Sequence, residues 1–144
     1  MNLSKIDICN LALAHLGQAS INAISDENER ARKCKLFYDV ALGETLRAHP
    51  WKFAENTAPL ALLDVHADGW AFAYKYPADA ANVQKVQAGG VGVSFRVTAL
   101  PEAGRVILCN ADYAVAVYTR QVSDPAQFDE SFVRVLAWTL ACDL

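Results

Sequence analysis

Pro50 separates two kinds of sequence. Upstream of it, Ala31, Cys34, Tyr38, Ala41, Leu42 and Thr45 recur at three- and four-residue spacing, which places them in one apolar stripe on a helix. Proline has no N–H to donate and its ring clashes with the preceding turn, so that helix cannot pass "HPWKFA" at 49–54. From 82 to 122 the chain changes to Val-rich runs, "VQKVQA", "VSFRVT", "RVILCN" and "YAVAVYTRQV", separated by "GGVG", "LPEAG" and "AD". Short β-branched runs between such turns read as antiparallel strands. Helical spacing returns after Asp124 and Pro125, with Phe128, Phe132, Val135, Leu136, Thr139 and Leu140 as the apolar stripe. The order predicts an α+β fold: an antiparallel helical core of two N-terminal helices plus a C-terminal helix, with a small antiparallel β-sheet inserted.

Local signals give the expected boundaries. Ser4 caps the first helix with Asp7 at the third position, and Gly17 supplies a left-handed stop. Ile8, Leu11, Ala12 and His15 form one apolar row and Ile6, Cys9, Leu13 and Leu16 a second, leaving Asp7, Asn10 and Ala14 for solvent. Such a helix is expected to be buried on most of its circumference. "SDENE" places acids at the positive end of a second helix starting near Ser25 or Asp26 and running to about Ala48. The reading is one domain over 1–144: a helical hairpin at 1–54, an irregular aromatic-rich connection at 55–81, the sheet at 82–122 and the last helix at 123–144.

Composition narrows the functional classes. At 144 residues and 53% hydrophobic, the chain can bury a sizeable core. A net charge of −3 gives no global attraction for phosphate backbones or acidic membranes. No apolar run reaches the roughly 20 residues of a membrane span, and "MNLSKIDICN" lacks the pattern of a signal peptide, so synthesis in the cytoplasm is expected. Cys9, Cys34, Cys109 and Cys142 show no C-x-x-C spacing and read as reduced, mostly buried small hydrophobes.

Residues with chemical potential are few. Arg30, Arg32, Lys33 and Lys35 in "RARKCK" form the one candidate phosphate patch, although Asp26 and Glu29 stand at ion-pairing distance along a helix. In "WAFAYKYP" an extended chain points Trp70, Phe72, Tyr74 and Tyr76 to one side, either as a stacking platform for bases or as the buried face of a strand, with Lys75 facing away. "GGVG" at 89–92 lacks the following helix and lysine of a phosphate loop and reads as a hairpin turn. His15, His49 and His66 have no motif neighbour to orient a base, and no catalytic residue, cofactor or metal site is expected.

Four stretches taken in series, "ICNLALAHLGQ", "DENERARKCKLFYDVALGETLRAHPWKFA", "FAYKYPADAANVQKV" and "YTRQVSDPAQFDESFVRVLAWTLA", resemble the small head-to-tail adaptor proteins of tailed bacteriophages and prophages. That group includes the tail tubular protein A type and the tail accessory factors. The resemblance covers nearly the whole chain. It implies a non-enzymatic virion protein at the head-tail junction, made in the bacterial host cytoplasm, whose copies form a ring under the portal, dodecameric like the portal itself. The portal protein and the next tail component are the implied partners, packaged DNA is met transiently, and the isolated subunit is a monomer or weak oligomer. Trp51 and Phe53 would anchor the chain to its core or to a neighbouring subunit. A small nucleic-acid-binding or regulatory module is the competing expectation, and a tail-associated cell-wall hydrolase a further one.

Overall fold

The computed structural model describes residues 3–144 as an α+β protein with three α-helices and two four-stranded antiparallel sheets. The chain divides into two compact units, a helical one ending at Phe53 and resumed at Gln121–Leu144, and a β unit at Ala54–Arg120.

The helical unit holds α1 (Lys5–His15), α2 (Glu29–Ala48) and α3 (Glu130–Ala141). At the start of α1 the Ser4 hydroxyl accepts from the Asp7 N–H, while the Asp7 carboxylate accepts from the Ser4 N–H at 2.9 Å. Two otherwise orphan donors are satisfied reciprocally. The helix ends with Gly17 at φ +70, its N–H on Ala14 and the Gln18 N–H on Leu13, the paired bonds of a Schellman stop. Burial is narrower than the two apolar rows suggest. Ile8, Cys9, Ala12 and Leu13 are buried, but Leu11, His15 and Leu16 are exposed. Asn10, expected in solvent, clamps the backbone of buried Ile21 through both its amide groups, at 2.8 and 3.0 Å.

The connection to α2 is fixed by polar side chains. The Asp26 carboxylate accepts from the N–H groups of Asn22 and Ala23, so it is committed upstream and does not start a helix. Asn28 caps α2 instead, accepting from Ala31 N–H at 2.8 Å, which moves the start to Glu29. The expected stripe of Ala31, Cys34, Tyr38, Ala41, Leu42 and Thr45 is buried, joined by Leu46.

The three helices do not all form one antiparallel core. α3 packs along both α1 and α2, which meet each other over a small patch where the Cys9 and Cys34 thiols face one another and Lys5 lies over the Tyr38 ring. The connection between α1 and α2, clamped by Asn10 and Asp26, is longer than a tight hairpin loop, and α3 rather than a close α1–α2 contact joins the two helices. Asp124 and Pro125 start a 3₁₀ turn (Pro125–Gln127), and α3 itself begins later at Glu130. Its buried face is Phe132, Val133, Leu136, Ala137, Leu140 and Ala141, rotated from the expected stripe so that Val135 is exposed.

The segment 55–81 is not an irregular connection, and the sheet is not small. It holds β1 (Glu55–Pro59), β2 (Leu62–Leu63) and β3 (Phe72–Lys75), followed by β4 (Ala80–Ala88), β5 (Val91–Val93), β6 (Phe95–Leu100), β7 (Gly104–Cys109) and β8 (Val115–Arg120). The sheet orders are β1-β8-β4-β5 and β2-β3-β7-β6. β1 runs into β2 through Leu60 and Ala61, and β5 into β6 through Ser94, so each of these stretches serves both sheets. Backbone bonds from Leu60 N–H to Ala114 and from Lys75 N–H to Ala61 hold the first corner. The first bent stretch pairs with β8 in one sheet and β3 in the other, the second with β4 and β7, and the two sheets face a shared interior. Strand propensity missed β1 and β2 because Pro59 and the small residues around it carry no apolar alternation; long-range pairing with β8 and β3 makes them strands. The hairpin between β4 and β5 turns on Gly89 and Gly90, with φ +59 and +79, as a two-residue turn with both central φ positive requires.

Replacing Asn10 by Ala is expected to cost about 1–3 kcal/mol, because the N–H and C=O of buried Ile21 lose their partners together. Urea unfolding of the variant against the parent measures it, and a change near zero would show the clamp to be incidental.

Candidate interaction surfaces

The aromatic residues singled out from the sequence are spent mainly on packing. In the helical unit Pro50 ends α2, and the indole N–H of Trp51 turns back to donate to the Thr45 carbonyl at 2.7 Å, satisfying one of the helix's last acceptors. Its ring lies 5.1 Å from Phe132 on α3, while Phe53 sits 5.0 Å from the same Phe132, and Phe128 stacks on Phe132 at 4.8 Å. His49 meets the Trp51 ring edge-on at 4.8 Å. "HPWKFA" is thus the fastening between the end of α2 and α3.

In the β unit Phe72, Tyr74 and Tyr76 belong to the interior shared by both sheets, with Val83, Val86, Ile107 and Ala116. Trp70 does not join them. The strand starts at Phe72, after the Asp68-Gly69 turn, so the alternation does not extend back to Trp70. That ring packs instead against Ala73, Val106 and Leu108, a separate cluster. Lys75 is exposed, as expected. Two buried hydroxyls of this interior are paired: Tyr74 donates to the Ala111 carbonyl at 2.7 Å, and Tyr118 donates to Asp79 at 2.9 Å while accepting from Asn56 at 2.8 Å. The Asn56, Tyr118 and Asp79 chain ties β1 to β8 and to the turn before β4; sequence reading had no signal for it, since the three residues lie far apart along the chain.

The four cations of "RARKCK" do not converge. Arg32 and Lys33 both reach Glu29, at 3.6 and 3.8 Å, on the exposed side of α2. Arg30 does not pair with Asp26; its Nε is buried without a hydrogen-bond partner among the described residues. Lys35 is exposed, about 140° around the helix from Arg30 at about 100° per residue. Neither His15 nor His49 makes an ion pair or hydrogen bond with an acid or nucleophile among the described residues, and His15 stacks on Trp138 with centroids 3.7 Å apart. Among the described residues no group of three or more His, Cys, Asp or Glu is placed to hold a metal ion.

Open surfaces of the helical unit include two that carry exposed apolar side chains. One is a groove of about 350 Å³ between α1 and α3, lined by Leu3, Leu11, Phe128, Val133 and Ala137 together with the polar His15, Glu130 and Arg134. The other is the outer face of α2, where Leu36 is 66% and Val40 52% exposed. In the β unit Tyr113 is 87% exposed and holds a left-handed backbone at φ +52 in the turn between β7 and β8. No family model matches the chain, and no curated protein matches it.

Burial governs the titratable interior. It pushes the Cys9 thiol up to about 12, helped by the neighbouring Cys34, and raises Cys34, Tyr38, Tyr74 and Tyr118 as well. Each group therefore holds its proton longer folded than unfolded, so its stabilising contribution is complete below its unfolded pKa and is lost as pH rises toward the folded one. Unfolding midpoints in urea should stay level up to about pH 9 and fall steadily between about pH 9 and pH 12. In the native protein at neutral pH, exposed Cys142 should react rapidly with a disulfide reagent while Cys9, Cys34 and Cys109 react only at the rate of opening. Rapid modification of more than one thiol would contradict the buried arrangement.

Proposed function

We propose that this chain is a structural virion protein of a tailed phage or prophage, a head-to-tail adaptor whose copies form a dodecameric ring under the portal, join head to tail and extend the DNA channel. The observation that carries the reading is the serial resemblance of four stretches in one chain. Their residues have structural work to do. "ICNLALAHLGQ" supplies most of α1 and its glycine stop, and "HPWKFA" fastens α2 to α3. "FAYKYPADAANVQKV" runs through β3 and β4, and "SDPAQFDESFVRVLAWTLA" supplies the turn and helix that receive Trp51 and Phe53. A subunit of this kind needs a rigid body with open faces, and it works without cofactor or catalytic residue.

In this reading the portal protein and the next tail component are the partners. Exposed Arg32, Lys33 and Lys35 can meet packaged DNA in passing, but half-neutralised cations do not hold it. A nucleic-acid-binding module using the aromatic strand is less well supported, because Phe72, Tyr74 and Tyr76 face the interior of the β unit.

The test is native mass spectrometry of the chain mixed with the portal ring of the phage or prophage that encodes it. A fixed number of copies per portal, with no stable ring in the chain alone, is the expected result. Failure to bind, together with salt-dependent binding of a short DNA duplex, would replace the adaptor reading by the nucleic-acid one.

A further inference from the structure

The inner face of α2 is buried, and its outer face carries Glu29, Arg32, Lys33, Leu36, Val40, Glu44 and Arg47 within one arc of the helix. All seven are exposed, Leu36 and Val40 by 66% and 52%. Apart from Lys33, whose reflection is Gly43 and so meets no opposing side chain, their order is symmetric about position 38. Leu36 and Val40 stand two residues either side of it, Arg32 and Glu44 six, and Glu29 and Arg47 nine.

We propose that this face is a docking surface for a second copy of the same chain, with the two α2 helices antiparallel about a twofold axis at Tyr38. An isologous contact places each position against its reflection. Leu36 then meets Val40 of the other copy, Arg32 meets its Glu44, and Glu29 meets its Arg47, so two apolar contacts at the centre are flanked by four opposite-charge pairs. Parallel pairing would set Arg32 on Arg32 and Glu44 on Glu44, and the like charges reject it.

The local geometry leaves these charges available. Glu44 and Arg47 make no ion pair among the described residues, and the Glu29 contacts to Arg32 and Lys33 are long and well exposed, worth little where they stand. Gly43 adds no side chain beside Val40, and the Arg47 guanidinium lies across it, with Nη1 3.1 Å from where a Cβ would sit. An apolar centre ringed by charge is the anatomy of a specific contact, and its small size makes the pair weak and reversible. The proposal does not rest on the adaptor reading. A closed twofold pair differs from the head-to-tail contact of a ring and would serve as the form of the subunit before assembly.

Sedimentation equilibrium over a concentration series up to about 1 mM tests it, in the affinity range expected of a small interface. A reversible monomer–dimer equilibrium is expected. Arg32→Glu and Glu44→Arg should each weaken association by about tenfold or more, and the double variant, which restores opposite charges, should return to within about threefold of the parent. Leu36→Asp should abolish the dimer. Circular dichroism melts check that these exposed substitutions leave the fold intact. A monomer at every concentration, a dimer indifferent to both single charge reversals, or a double variant no tighter than the singles would each overturn the proposal.

Discussion

The carbonyl of Thr45 is the acceptor on which the helical unit turns. A helix that stops leaves its last carbonyls without donors, and Pro50 removes the N–H that would have carried the ladder further. Trp51 answers with its indole N–H, and in doing so it lays its ring on Phe132. The hydrogen bond sets the direction, and the apolar area of Trp51, Phe53, Phe128 and Phe132 supplies the energy, so the end of one helix and the start of another are held by the same few side chains. The connection before α2 is arranged on the same principle, with Asn10 and Asp26 taking up backbone groups that no helix or strand would satisfy.

The β unit meets the corresponding constraint by closure. The four sheet edges are β1, β5, β2 and β6, and each belongs to one of two bent stretches that carry the chain from one sheet into the other, with the Leu60 and Lys75 N–H groups bonded at the first corner. Closure also makes one interior out of two faces. Tyr74, Tyr118 and Asn56 bring polar atoms into that interior, and each finds a partner within it, which keeps the cost of burying them small.

With the conspicuous aromatics committed inside, the surfaces left for other molecules are less conspicuous in the sequence. The α1/α3 groove is lined by residues that read as ordinary core positions, and the outer face of α2 reads as a solvated helix with two misplaced apolar residues. Their arrangement on a folded helix is what turns Leu36, Val40 and the four charges around them into a self-complementary pattern.

Much of the helical unit was legible along the chain. The Ser4 and Asp7 box, the Gly17 stop, the buried stripe of α2 and its end at Pro50 are local, because each depends on residues within one or two turns of each other. The sequence also determined that the middle of the chain forms strands turning on Gly89 and Gly90. Tertiary structure alone decided the rest. β1 and β2 exist because β8 and β3 lie beside them, Trp70 leaves the row of Phe72, Tyr74 and Tyr76 because the strand begins after it, and Asn10 is turned inward by a loop eleven residues away. Backbone pairing and side-chain partners drawn from distant segments carry no periodic signal, so those features appear only when the chain has folded and the free energy of the contact is there to select them.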